Sequence, residues 1–283
     1  MFINYIKIFY RFIAPVTIRR IIFILRTILF NPKRIFIVNN NSYNEDGLAT
    51  NHIVDFLKDE NFIKSYKEAT KDGAMGGHPG QIKYRAYIIN YFANYALMKF
   101  QEKKGLEKGG GDFVELGTGK GIMAKVIMLN SNFKHHNNRK LYLFDTFKGI
   151  PEPLTKNNQE LENSKYLNKL HFEGDYFKFT ESKFSMYPNV VLVKGELPGT
   201  LNEKLYQINK IIFLHIDLNN AYSEIESIKL IYDKLAIGCV IILDDYCYDE
   251  LFREQKDSWD NFIKTKNNII LSLPTGQGIF FKI

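Results

Sequence analysis

Apolar and polar positions divide the chain into three parts with different patterns. Residues 1–38 are apolar but interrupted by cations, and six aliphatic side chains of residues 18–29 share one face of a helix. Residues 39–108 alternate polar stretches with helical periodicities. From residue 109 onward, short apolar runs alternate with helical segments, as in a parallel sheet with crossover helices. We therefore expect a basic amphipathic helical extension (1–38), a helical lid or cap region (39–108) and an α/β domain (109–283).

Seven apolar runs of strand length occur in the α/β part. Five have the spacing of parallel strands, and only four residues separate the last two, which predicts a hairpin. A polar segment, residues 156–187, interrupts the alternation and is expected to be a helical insertion. The predicted fold class is α/β, with a seven-stranded, mostly parallel sheet and helices on both faces. The predicted strands are residues 113–116, 141–144, 190–193, 211–216, 240–243, 269–273 and 278–282.

Composition and charge narrow the class of protein. Apolar residues make up 45% and charged residues 24%, which is ordinary for a globular protein. Lys plus Arg is 38 against 31 Asp plus Glu, but residues 1–44 hold seven cations and no acid. The remainder is therefore neutral, and we expect no nucleic-acid partner. Two cysteines, Cys239 and Cys247, provide no disulfide framework, so we expect a cytoplasmic protein.

The amino-terminal segment allows two interpretations. Before residue 31 its longest uncharged run, residues 12–18, is far too short to span a membrane. Residues 1–34 could lie on an anionic surface, which would place the protein peripherally on the inner face of a membrane. The alternative, which is commoner for amphipathic helices, is packing on the domain or on a second subunit. This apolar face also leads us to expect a homo-oligomer.

A glycine loop follows the first predicted strand of the sheet. Residues 117–121 are Gly-Thr-Gly-Lys-Gly, and glycine at this point lets the backbone approach a ligand that faces a helix amino terminus. A dinucleotide fingerprint needs its third glycine three residues after the second, so alternation suits an adenosyl or amino-acid moiety at least as well. Asp145 ends the second strand, where it can accept hydrogen bonds from ribose hydroxyls. These features indicate a nucleoside-containing cofactor; the alternative is a structural tight turn.

Three carboxylates follow two later strands. Asp217 ends one strand, and Asp244 and Asp245 end the strand after the next crossover helix. Parallel strands joined in this way lie side by side or nearly so, and their carboxyl ends meet at the ligand-binding edge of the sheet. Clustered acids repel one another unless a cation or protons neutralise them. An all-oxygen set favours Mg²⁺, Mn²⁺ or Ca²⁺ over zinc. The alternative is that each acid caps the helix that follows it.

Four segments resemble the macrocin O-methyltransferase (TylF/MycF) family: Glu-Leu-Gly-Thr-Gly at 115–119, Leu-Phe-Asp-Thr-Phe-Lys-Gly-Ile-Pro at 143–151, His-Ile-Asp at 215–217 and Gly-Cys-Val-Ile-Ile-Leu-Asp-Asp-Tyr at 238–246. The resemblance extends over roughly residues 84–283. It implies a class I, Rossmann-like methyltransferase fold for the α/β domain. It also implies S-adenosylmethionine (SAM) as the cofactor, with Mg²⁺ or Mn²⁺, and a sugar hydroxyl as the acceptor.

The resemblance also implies roles for individual residues. Asp217, Asp244 and Asp245 would ligate the metal. Asn219 stands where family members often have a second acid, assigned as the general base in some of them, and an amide cannot accept a proton at neutral pH. The base is therefore open between Asp217 and His78, which lies on a glycine-rich loop. The cofactor contacts would be Glu115, Gly117, Thr118, Gly119, Gly121, Asp145 and Thr146.

No motif identifies the acceptor. We expect a small-molecule sugar, nucleotide-linked, for surface-polysaccharide biosynthesis, bound by the 156–187 insertion and the segment before Tyr84. One alternative is an O-methyltransferase for another small hydroxyl, such as a catechol. Another is an NAD-dependent oxidoreductase, which would share the glycine loop and Asp145. A third is a non-catalytic scaffold that binds through residues 1–38. The turn at 274–278 either borders substrate or cofactor, or only closes the hairpin.

Overall fold

The computed structural model describes residues 42–72, 82–101, 110–171 and 174–283. The chain divides into two compact units. The described part of the first is residues 42–55 and residue 82, and the second begins at residue 56 and continues from residue 83. The predicted extension over residues 1–38 lies outside the described residues, as does His78. No described helix has the length and apolar character needed to cross a bilayer.

The first unit contains a β-hairpin. Strands β1 (Tyr43–Glu45) and β2 (Leu48–Thr50) pair antiparallel, with Glu45 opposite Leu48. The two turn residues, Asp46 and Gly47, both have positive φ, 54° and 75°. This is the conformation that an Asp-Gly pair favours in two-residue hairpins. The hairpin departs from the helical region expected over 39–108, because an Asp-Gly pair favours a two-residue turn between antiparallel strands.

The second unit is built on the seven-stranded sheet that the sequence predicts. Its strands are β3 (Asp112–Leu116), β4 (Leu141–Asp145), β5 (Val190–Lys194), β6 (Ile211–Ile216), β7 (Leu235–Leu243), β8 (Leu271–Ser272) and β9 (Gly278–Phe281). The strand order is β5-β4-β3-β6-β7-β9-β8, parallel from β5 to β7 and antiparallel in the two final pairings. The α/β prediction and the terminal hairpin are therefore confirmed.

Helices cover both faces of this sheet, because side chains alternate across each strand. Val114 and Leu214 pack in a core with Ile228 and Trp259, whereas the ring of Phe113, on the other face, contacts that of Phe133. The helices are α1 (Glu60–Thr70), α2 (Lys83–Lys99), α3 (Ile122–Asn130), α4 (Asn158–His171), α5 (Phe177–Phe184), α6 (Gly199–Lys204), α7 (Ala221–Ile231) and α8 (Arg253–Thr265).

Helices α1 and α2 belong to the sheet unit rather than to a separate cap. Both pack on α3, and α2 also contacts β6 and β7. Phe62 of α1 and Ile89 and Ala93 of α2 are fully buried. The division expected at residue 108 is thus not where the compact units separate. Apolar burial fixes α2 against the sheet, and this position brings one of its residues to the site described below.

The strand order creates the site by reversing direction at β3. This strand lies between β4 and β6, with Leu116 opposite both Phe144 and Ile216, and Ile216 is in turn opposite Leu243. The four carboxyl ends therefore lie level at one edge of the sheet. Open α/β sheets bind ligands at such a switch point.

Candidate active site

The glycine loop lies against the carboxyl ends of β4 and β6. The amide of Gly117 donates to the carbonyl of Phe144 at 2.8 Å. Gly117 has φ +92°, and a Cβ added there would lie 1.8 Å from the carbonyl oxygen of Asp217. The amide of Gly119 donates to Asp145 Oδ2 at 2.7 Å. The loop therefore needs glycine at position 117 because its backbone lies against that of Asp217. Asp145 holds the loop two residues further on, at Gly119.

Asp145 is oriented by two backbone amides. Its Oδ1 accepts from Phe147 N at 2.5 Å, while Oδ2 accepts from Gly119. Burial raises the pKa of Asp145, and these two amides counteract that effect only in part. Each carboxylate oxygen has two lone pairs, so each keeps acceptor capacity for a further donor such as a ribose hydroxyl.

A cleft opens between this loop and the ends of β4, β5 and β6. Of the residues predicted to bind the cofactor, Gly117, Asp145 and Thr146 line it, and Asp217 and Asn219 lie on the same wall. The remaining lining residues are Gly149, Ile150, Pro151, Gly195, Leu197, Leu218, Asn220 and Ser223. The carboxylate of Asp145, which can accept from ribose hydroxyls, and the close backbone approach at Gly117 suit a nucleoside-bearing cofactor.

Other predicted cofactor contacts shape the loop without lining the cleft. Glu115 is buried, accepts from Thr118 Oγ1 at 3.3 Å and pairs with His215 Nδ1 at 2.9 Å. A Cβ on Gly121 would meet the Phe184 ring at 2.5 Å, so this glycine allows α5 to pack on the loop. Their predicted contact with the cofactor itself stays a prediction.

The three predicted acids do converge at the sheet edge. Burial raises the pKa of Asp217 well above its ordinary value, and the neighbouring carboxylates of Asp244 and Asp245 raise it further. Asn219 donates to Asp217 Oδ1 at 3.1 Å and occupies the left-handed region, with φ 58°. Asn220 caps α7 by accepting from Ser223 N at 2.8 Å. Helix capping therefore falls to Asn220 and does not account for Asp217.

Arg85, which the sequence analysis missed, joins this cluster from α2. Its Nη2 donates to Asp244 Oδ2, to Asp245 Oδ1 at 2.7 Å and to the Asp244 carbonyl at 3.0 Å. The three side chains are only 5–10% exposed. One signal was available: Arg85 is the only charged residue between the two terminal lysines of an aromatic-rich helix.

Two further side chains engage Asp244. Gln277 Nε2 donates to Asp244 Oδ1 at 2.8 Å, which brings the 274–278 turn to the site. His215 Nε2 lies 3.5 Å from the same oxygen. Burial alone would lower the pKa of His215, but Asp244 and Glu115 raise it to about 10, which favours the protonated imidazole. Burial alone would raise the pKa of Asp244, but Arg85 and His215 hold it at about 2.

The hydrogen-bond partners of Asp244 and Asp245 decide whether these acids can hold the predicted metal. Nη2 of Arg85 bonds to both Asp244 and Asp245, and Gln277 takes the second oxygen of Asp244. Within the described part of the chain, no group of three or more His, Cys, Asp or Glu residues is arranged to hold a metal ion. The predicted ligands as placed therefore do not fit Mg²⁺ or Mn²⁺, because a guanidinium lies between two of them.

The insertion borders the cleft through two polar anchors. Asn168 of α4 accepts from Ile150 N at 2.7 Å and donates to Ile150 O at 2.9 Å. Glu160 Oε1 accepts from Ala221 N at 2.6 Å, at the amino terminus of α7. Residues 156–187 contain the helices α4 and α5, as expected. The segment is thus attached both to the rim of the cleft and to the helix that follows Asn219.

Comparisons with known proteins agree with the fold. The solved structure of the calicheamicin methyltransferase CalS11 is 13% identical and covers 86% of this chain and 98% of its own, with a TM-score of 0.58. The O-methyltransferase NovP is 17% identical and covers 70% of this chain and 79% of its own, with a TM-score of 0.56. At these identities the likeness shows the fold, that of class I methyltransferases. No curated protein sequence matches the chain.

A sequence model of the macrocin-O-methyltransferase (TylF) family matches residues 97–275, which include the glycine loop, Asp145 and the three strand-end acids. This match covers more than half of the chain and confirms the resemblance. The chain belongs to the macrocin O-methyltransferase family and is a SAM-dependent O-methyltransferase.

Proposed function

We propose that this enzyme methylates a hydroxyl of a small-molecule sugar, carried on a nucleotide and destined for a surface polysaccharide. The observation that carries the proposal is a cleft lined together by Gly117, Asp145 and Asp217 at the switch point of the sheet. The family match supports a hydroxyl acceptor, and the resemblance of the sequence favours a sugar.

The residues that line the cleft have separate roles in this proposal. SAM, when bound, supplies an electrophilic methyl group. Gly117 would let the cofactor approach the backbone, and Asp145, held by the amides of Gly119 and Phe147, would accept hydrogen bonds from the ribose hydroxyls. A fixed cofactor and a fixed acceptor together reduce the entropic part of the barrier, because the reacting atoms are already aligned.

Asp217 is the proton acceptor in this proposal. It lines the cleft at the end of β6, and Asn219 holds its Oδ1 at 3.1 Å. Asp217 would take the proton that the acceptor hydroxyl loses when its oxygen is methylated. Asn219 can orient this carboxylate but cannot take a proton itself. A role for His78 stays a prediction, because that residue lies outside the described part.

The direct test is a screen of purified enzyme against a panel of nucleotide sugars. We expect S-adenosylhomocysteine (SAH) release together with a mass increase of one methylene in one sugar. Asp217→Asn should lose turnover by about 100-fold or more while SAH affinity is retained. Glu226→Gln is the matched control, since Glu226 is a surface acid of the next helix, paired with Lys229.

Three outcomes would contradict the proposal. Methylation of catechols with no sugar methylated would establish the other small hydroxyl acceptor. A melting temperature raised by NAD and not by SAH would favour the oxidoreductase. Turnover of Asp217→Asn equal to that of Glu226→Gln would remove Asp217 from the mechanism.

We also expect a cytoplasmic location, contact of residues 1–34 with the inner face of a membrane, and a homo-oligomer. Residues 1–34 lie outside the described part, so their contact with a membrane stays a prediction, as do the location and the homo-oligomer.

A further inference from the structure

The acidic cluster at the sheet edge contains its own cation. A single nitrogen, Arg85 Nη2, is hydrogen-bonded to carboxylate oxygens of both Asp244 and Asp245. An ion bridging these two acids would have to occupy the space where this nitrogen lies, because Mg²⁺ needs oxygen ligands at about 2.0–2.1 Å. The guanidinium and a bridging divalent ion are therefore mutually exclusive.

Arg85 is held in this position from several sides. Its guanidinium carbon lies 4.8 Å from the centre of the Tyr248 ring, and its Nη2 also donates to the Asp244 carbonyl at 3.0 Å. The neighbouring Ala86 and Ile89 are buried, which fixes α2 against the sheet. Gln277 holds the far oxygen of Asp244, so this carboxylate is oriented from both sides. Moving the guanidinium away would leave Asp245 without its ion-pair partner and Asp244 with only the imidazole of His215, which is costly.

We propose that Arg85 is a positioning residue that replaces the divalent ion: it orients Asp244 and Asp245, excludes a metal from them, and lets methyl transfer proceed without one. The part of this inference that concerns catalysis rests on the proposed function. The part that concerns metal exclusion does not, and can be tested on the protein alone.

The first experiment measures Mn²⁺ binding by electron paramagnetic resonance on the full chain. Wild type at about 100 μM protein and equal Mn²⁺ should hold no stoichiometric ion. Arg85→Gln should gain about one Mn²⁺ per chain, because removing the guanidinium leaves an oxygen-rich set open. Adding Asp244→Asn to that variant should abolish the gained site. Arg139→Gln is the control, since Arg139 is also buried but donates to backbone carbonyls, including those of Phe100 and Gly111.

The second experiment measures turnover. Wild-type rates should be unchanged by excess chelator, whereas Arg85→Gln should lose kcat and recover part of it with added Mn²⁺ or Mg²⁺. Arg139→Gln should show no such rescue. A purely structural role for Arg85 would not predict rescue by metal. Retention of the SAH-induced rise in melting temperature verifies that each variant is folded.

Each result bears on one claim. Stoichiometric Mn²⁺ in wild type, lost in Asp244→Asn, would overturn the inference even if the Arg85 variant fails to fold. A folded Arg85→Gln that gains no Mn²⁺ would also overturn it, as would wild-type turnover that is lost on chelation and restored by Mg²⁺. If Mn²⁺ binding follows the expected pattern but no sugar is methylated, the proposed function fails and metal exclusion stands.

Discussion

Replacing Gly117 with alanine tests whether the glycine loop presses directly on the end of β6. The added Cβ would lie 1.8 Å from the carbonyl oxygen of Asp217 and 2.5 Å from its carbonyl carbon. Both are backbone atoms, and the backbone of Asp217 is also held by its amide, which donates to the Leu116 carbonyl at 2.8 Å. The overlap therefore cannot be relieved by turning a side chain. The loop or the end of the strand must move.

Two costs contribute to the expected loss of stability. Alanine at φ +92° carries about 1–2 kcal/mol of backbone strain. Forcing an extra carbon into a packed site adds about 1–3 kcal/mol. We therefore expect Gly117→Ala to lower the free energy of unfolding by about 2–5 kcal/mol. Gly174→Ala is the matched control, because Gly174 has φ +103° with no atom within 4 Å of the added Cβ. It should lose about 1–2 kcal/mol.

Urea unfolding followed by fluorescence measures both variants. Trp259 is the only tryptophan of the chain and is fully buried, so its emission reports the loss of the core. SAH titration should in addition show an affinity loss of about tenfold or more for Gly117→Ala, equivalent to about 1.4 kcal/mol, and little change for Gly174→Ala. Equal unfolding midpoints and equal SAH affinities in the two variants would refute the close approach of the loop to β6.

Two further predictions concern buried acids. Burial raises the pKa of Glu224 from 4.5 to about 7. The folded chain thus keeps a proton that the unfolded chain has lost, and stability should fall by about 3 kcal/mol as pH rises from about 4.5 to about 7. The fall in the urea midpoint between about pH 5 and about pH 8 should be larger in wild type than in Glu224→Gln; equal falls in both would contradict it. Glu160→Ala removes the carboxylate that accepts from Ala221 N, so it should raise the acceptor KM at unchanged kcat, whereas the exposed Glu162→Ala should change neither. An unchanged acceptor KM in steady-state assays of Glu160→Ala would show that this contact of the insertion does not contribute to acceptor binding.

Local patterns were sufficient for the fold and for part of the site. Apolar runs of strand length, each followed by a turn, place Gly117, Asp145 and Asp217 at strand ends, and the structure brings these three to one cleft. Such residues are predictable because alternation and strand termination depend on neighbours in sequence. The β1–β2 hairpin was not predicted, although Asp46 and Gly47 are a typical hairpin pair.

What surrounds the three acids was decided by tertiary structure alone. Arg85 reaches Asp244 across 159 positions, and Gln277 reaches it across 33. The sequence by itself determined that acids would meet at the carboxyl edge of a parallel sheet, because strand direction follows from the chain's own alternation. It could not determine which cation would meet them, because the packing of α2 on the sheet depends on the shapes of many distant side chains and leaves no periodic signal in the sequence.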